Sequence, residues 1–178
     1  MKVFSYLAAA ALAGSYFFLS ASPLVGQQAA CTADEHRQFD FWLGEWTVTR
    51  TADGQLAGTN KISSAFGGCV LLEEYSSPSG YSGSSFNIYD AGQEIWHQTW
   101  VDNSGLLLQL DGQLENGLMV LMGERPGPDG EMQLNQITWE AKDDGTVRQI
   151  WTTSDDHGAT WNASFDGTYT RKAGGDGG

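Results

Sequence analysis

Ser104-Gly105-Leu106-Leu107-Leu108-Gln109-Leu110-Asp111-Gly112-Gln113-Leu114-Glu115-Asn116-Gly117 is a complete strand with a turn at each end. It opens and closes on a turn signal, Ser104-Gly105 and Asn116-Gly117. Between them Leu106, Leu108 and Leu110 alternate with Leu107, Gln109 and Asp111, the period of a strand. Glycine adopts the positive φ of tight turns, and Asn-Gly is among the strongest hairpin signals. The same punctuation runs along the chain at Asp53-Gly54, Gly67-Gly68, Ser79-Gly80, Ala91-Gly92, Asp129-Gly130, Asp144-Gly145 and His157-Gly158. Successive turn glycines lie 14, 12, 12, 13, 12, 13, 15 and 13 residues apart. Nine turns therefore separate ten strands of about eight to ten residues. Such intervals leave no room for crossover helices, which excludes parallel α/β architectures. Twist and exposed edges favour closing so long a meander. The predicted fold is all-β, a ten-stranded antiparallel up-and-down closed barrel.

Alternation recurs elsewhere. Trp161, Ala163, Phe165 and Tyr169 fall on one face, opposite Asn162, Ser164, Asp166 and Thr168. Ser84, Phe86 and Ile88 alternate with Ser85, Asn87 and Tyr89. Met132 to Trp139 changes phase midway, which predicts a bulge. A short N-terminal helix, capped by Thr32 or Asp34, is expected to run towards Phe41. One barrel domain spans residues 31–172, and the Gly-rich residues 173–178 read as a flexible tail.

The chain has 178 residues, 40% of them hydrophobic, 17% charged and 12% aromatic, with 23 Gly and seven Trp. This is the composition of a folded chain with a core. The formal net charge of −13 argues against a nucleic-acid partner, which needs clustered Lys and Arg, and against docking on anionic lipid. Lys2 precedes an apolar run from Val3 to Leu19, so residues 1–28 read as a signal peptide; an uncleaved anchor is the alternative. No membrane association is expected beyond that segment, and the mature protein is expected to be a periplasmic or secreted monomer. Gln28-Ala29-Ala30-Cys31 resembles a lipoprotein box, but Gln28 stands where an aliphatic residue belongs. In an oxidising compartment Cys31 and Cys69 read as a disulfide. The alternative, a metal set of Cys31, His36 and Cys69, lacks any C-x-x-C pair. No metal and no cofactor is expected.

Phe39-Asp40-Phe41-Trp42-Leu43-Gly44-Glu45-Trp46, Trp96-His97-Gln98-Thr99-Trp100-Val101-Asp102, Val147-Arg148-Gln149 and Phe165-Asp166-Gly167-Thr168-Tyr169 together resemble a bacterial family of secreted proteins without an assigned activity. The resemblance covers roughly Cys31 to Lys172. It implies a fold similar to the calycins, that is, lipocalins, fatty-acid-binding proteins and nitrobindin. Gly44-Glu45-Trp46 resembles the Gly-x-Trp step that closes one end of lipocalin-like barrels. The strand count is nearer the fatty-acid-binding and nitrobindin members. A haem ligand in nitrobindin-type barrels lies near the last strand, whereas Thr160 to Arg171 contains no His.

Candidate site residues come from two strands. Trp96, Gln98 and Trp100 share a face opposite His97, Thr99 and Val101. Val147, Gln149 and Trp151 share a face opposite Arg148, Ile150 and Thr152. Apolar walls with a few polar groups suit a ligand cavity, so His97, Gln98, Trp100, Arg148, Gln149 and Trp151 are the candidate ligand-binding residues. Arg148 would fork a ligand carboxylate and His97 would assist it. Both faces carry aromatics, so alternation does not say which points inward. The main expectation is a small apolar or amphipathic ligand held inside the barrel. One alternative is an enzyme with His97 as general base and Arg148 as anion clamp. The other is a surface or glycan-interaction module using exposed Trp. No nucleophile elbow or His-Glu-x-x-His occurs, so no catalytic residue is assigned. Glu73-Glu74 and Asp155-Asp156 are adjacent, point to opposite faces of a strand, and are poor paired acids. Ser154 to Trp161 fits an Asp-box turn, in which Asp156 folds back on turn amides.

Overall fold

A computed structural model describes residues 30–172. The segments read as a signal peptide and a tail lie outside the described residues. Ten strands form the barrel: β1 Gly44–Arg50, β2 Leu56–Ala65, β3 Val70–Ser76, β4 Ser82–Asp90, β5 Ile95–Asp102, β6 Leu107–Glu115, β7 Leu118–Pro126, β8 Met132–Ala141, β9 Val147–Ser154 and β10 Asn162–Arg171. Each pairs antiparallel with its chain neighbour, and β1 pairs with β10, so the sheet closes with no free edge. The β6–β7 turn uses Asn116 at φ 52° and Gly117 at φ 84°, the left-handed pair that a two-residue hairpin requires.

The short N-terminal helix is present as two 3₁₀ segments, Asp34–Arg37 and Asp40–Trp42. Ala33 holds the first cap position and no side chain caps it there. Packing places this segment instead. Phe39 stacks on Trp42 at 5.0 Å and meets Trp96 and Trp139 edge-on at 5.6 and 5.1 Å. These four rings and Trp46 are almost wholly buried and plug one end of the barrel. The Trp46 indole donates to the Trp42 carbonyl at 2.9 Å, and Arg171 lies over the Trp46 ring at 4.4 Å. Cys31 and Cys69 form a disulfide, Cα atoms 5.0 Å apart, that ties the segment to the start of β3. The bond uses both sulfurs, so neither thiolate is left for a metal set with His36, nor Cys31 for a lipid.

Two strands depart from the sequence reading. β8 pairs with both neighbours without a register shift, so the phase change at Met132 to Trp139 is not a bulge. Asn135 points inward there, 1% exposed, in line with Ile137 and Trp139. Register shifts lie elsewhere, in the β1–β2 pairing between Val48 and Thr49 and in β10 between Ala163 and Phe165. The shift in β10 breaks the expected face-sharing: Ala163 is exposed, whereas Phe165 packs against the core.

Candidate functional site

The half of the barrel away from the plug is not filled. A cavity of about 280 Å³ remains there. Glu73, Gln98, Ile137, Gln149 and Tyr169 lie at its mid-barrel floor. Tyr75, Tyr81, Trp100, Leu108, Trp151 and Phe165 form its walls. Leu108 is buried, whereas the five aromatic wall residues are only partly buried and reach the open end.

The floor is polar by sequence and buried by closure. Glu73 of β3 is 3% exposed. Its Oε1 accepts from Asn60 Nδ2 of β2 at 2.7 Å, and its Oε2 from Ser85 Oγ of β4 at 2.6 Å. Asn87 Nδ2 donates to Ser85 Oγ at 2.9 Å, and Gln98 Nε2 to Asn87 Oδ1 at 2.8 Å. Four strands thus share one chain of hydrogen bonds beneath the cavity. Burial pushes the Glu73 carboxyl up to about 7, against the lowering effect of the Ser85 and Asn60 hydrogen bonds. Burial also raises the Tyr169 hydroxyl, and the nearby Glu73 charge adds to that. The Tyr169 hydroxyl donates to Gln149 Oε1.

Asp102 binds the walls near the open end. Its Oδ2 accepts from the Tyr81 hydroxyl at 2.8 Å and from the Trp100 indole at 3.3 Å. Burial works to raise this carboxyl, but hydrogen bonds from Ser104, Tyr81 and Leu106 outweigh it and hold the group at about 2. Trp151 Nε1 donates to the inward Asn135 Oδ1 at 3.0 Å.

Four of the six candidate residues, Gln98, Trp100, Gln149 and Trp151, line the cavity. The other two do not, which corrects the idea of a His97–Arg148 constellation inside the barrel. His97 alternates with buried Trp96 and Gln98 and so points outward. Its Nδ1 pairs with Asp111 at 2.7 Å, and its Nε2 meets Thr99 Oγ1 at 2.8 Å. Arg148 alternates with Val147 and Gln149. On the outer face its Nε and Nη2 donate to both Asp166 oxygens at 3.0 and 2.7 Å. That bond lowers Asp166 and raises Arg148.

Glu73 and the three tyrosines were missed. Glu73 and Glu74 do face opposite ways, as their adjacency requires: Glu73 is buried and Glu74 exposed. The available signal was Leu71-Glu73-Tyr75, one strand face continuing an apolar residue into an aromatic one through an acid. Ser154 to Trp161 forms the expected turn: Asp156 Oδ1 accepts from the Thr160 amide at 2.8 Å and Oδ2 from its hydroxyl at 2.6 Å. No family model matches the chain, and no curated protein matches it.

Proposed function

We propose that the protein is an exported barrel that carries one small apolar or amphipathic molecule in its interior. The observation behind this is the aromatic-walled cavity over a polar floor, in the half of the barrel that the plug leaves unfilled. A few polar groups that orient a mostly apolar guest are the usual make-up of such sites. The resemblance to secreted calycin-like proteins supports the reading, as does the closed end built on Gly44 and Trp46. The basic, then apolar, start of the chain and the Cys31–Cys69 disulfide support export to an oxidising compartment. The enzyme alternative is disfavoured because His97 and Arg148 are each engaged with an acid outside the cavity. A glycan platform is disfavoured because no Trp is among the exposed large hydrophobic residues described.

Native mass spectrometry of the protein recovered gently from its own host's envelope or medium tests this. The expected result is a bound mass of a few hundred daltons at most that denaturation releases. Because Trp100 and Trp151 line the cavity, stripping the cargo shifts tryptophan emission. A bare polypeptide mass, with emission unchanged by stripping, counts against a carrier.

A further inference from the structure

The carrier reading leaves the chemistry of the cargo open, and the cavity floor narrows it. Glu73 lines the cavity with each oxygen accepting one protein hydrogen bond; a carboxylate oxygen has a second acceptor site. A buried carboxylate without a counter-charge is costly. The groups facing Glu73 are Asn60 from β2, Ser85 from β4, Gln98 from β5, Tyr169 from β10 and Tyr75 from its own strand. None is cationic, and no Lys, Arg or His lines the cavity.

The donors at the walls are already committed. Tyr75 donates to the Ala57 carbonyl at 2.9 Å, Tyr81 and Trp100 to Asp102, Tyr169 to Gln149 and Trp151 to Asn135. Beside the neutral amides of Gln98 and Gln149, what the cavity offers a guest is carboxylate oxygen and the π-faces of aromatic rings. Carboxylate and π-face both attract cations. Asp102 adds a second negative charge near the entrance, and a chain of net charge −13 draws cations towards it. A fatty carboxylate would meet two acids and no base.

Resting on the carrier reading, we propose that the cargo is a small organic cation, a protonated amine on a compact apolar body, with its ammonium seated on Glu73. The cavity of about 280 Å³ holds the equivalent of roughly nine waters at ~30 Å³ each, about the size of a phenylethyl amine. Seating the cation requires an ionised Glu73, so affinity is greatest above its pKa of about 7. It falls about tenfold per pH unit below that value, because the empty site must first lose its proton.

Isothermal titration calorimetry with 2-phenylethylamine, 2-phenylethanol and phenylacetate tests the assignment, since the three share one aromatic body. At about pH 8.5 Glu73 is ionised and an alkylamine is still protonated. The amine is expected to bind at least about tenfold tighter than the alcohol, and phenylacetate weakest. Glu73→Gln removes the advantage of the amine over the alcohol. Moving the wild-type protein to about pH 6 weakens the amine about tenfold and spares the alcohol; this arm decides the matter if Glu73→Gln fails to fold by circular dichroism. Alcohol or phenylacetate binding as tightly as the amine, or an amine affinity indifferent to pH, overturns the cation assignment while leaving the carrier reading in place. Binding of none of the three overturns the cation assignment, and the native mass spectrum then decides the carrier reading separately.

Discussion

Glu73 concentrates the energetics of this molecule into one side chain. Its carboxyl is held at about 7, against 4.5 for an ordinary glutamate. The native state therefore binds more proton than the unfolded chain between those values. Stability is lost as pH rises through that window and is flat above it, a change of roughly 3 kcal/mol. Asp102 and Asp156, both lowered to about 2, act in the opposite sense and only at more acid pH. Urea unfolding of the empty protein between about pH 4.5 and 8 is expected to show this decline, and Glu73→Gln is expected to abolish the slope. An unchanged slope in the variant would mean that another group titrates. None of this was legible at Glu73 in the sequence. An acid next to an acid reads as surface until Asn60 and Ser85, 13 and 12 residues away, are known to face it.

At the scale of the strand, the period was legible and the direction was not. β6 reads correctly on its own, with Leu108 and Leu110 buried and Leu107 exposed. β4 reads backwards by polarity. Ser85 and Asn87 are wholly buried while Phe86 and Ile88 are exposed, because the inward pair serves the Glu73 network. β8 and β10 differ from expectation for related reasons: an inward Asn135 imitates a phase change, and a real bulge at Ser164 sits in a regular-looking pattern. The seam where β10 meets β1 makes the sharpest demand on a residue type. Gly44 has φ 139°, and a Cβ there would overlap the guanidinium of Arg171. Arg171 also donates to the Leu43 carbonyl at 3.0 Å while covering Trp46. Gly44→Ala is expected to destabilise the protein by about 1–3 kcal/mol, from backbone strain and displacement of Arg171. Chemical denaturation measures it, and a loss below half a kcal/mol would show that the seam yields freely.

Over the whole molecule, closure removes every sheet edge, and the plug and disulfide close one end. The Cys31–Cys69 bond spans 38 residues, worth about 4 kcal/mol in the chain-entropy model. A Cys31→Ser/Cys69→Ser variant is expected to lose stability on that scale. Its 3₁₀ segment should gain hydrogen-exchange freedom first, since the bond and the aromatic plug are what hold it. Uniform loss of protection across all ten strands would instead place the bond within the global folding unit.

Strand count, turn positions, antiparallel order and the cysteine pair are all legible in the chain. Each is a local matter of glycine φ, period-two alternation and loop length, or follows from parity and compartment. Alternation also groups Gln98 with Trp100, and Gln149 with Trp151, on shared strand faces. That those faces point inward, that His97 and Arg148 point out, and that Glu73 lies beneath a cavity emerge only in the folded barrel. Inside and outside are defined by closure of the sheet. A void is bounded by side chains from strands far apart in the chain, so no local pattern encodes it.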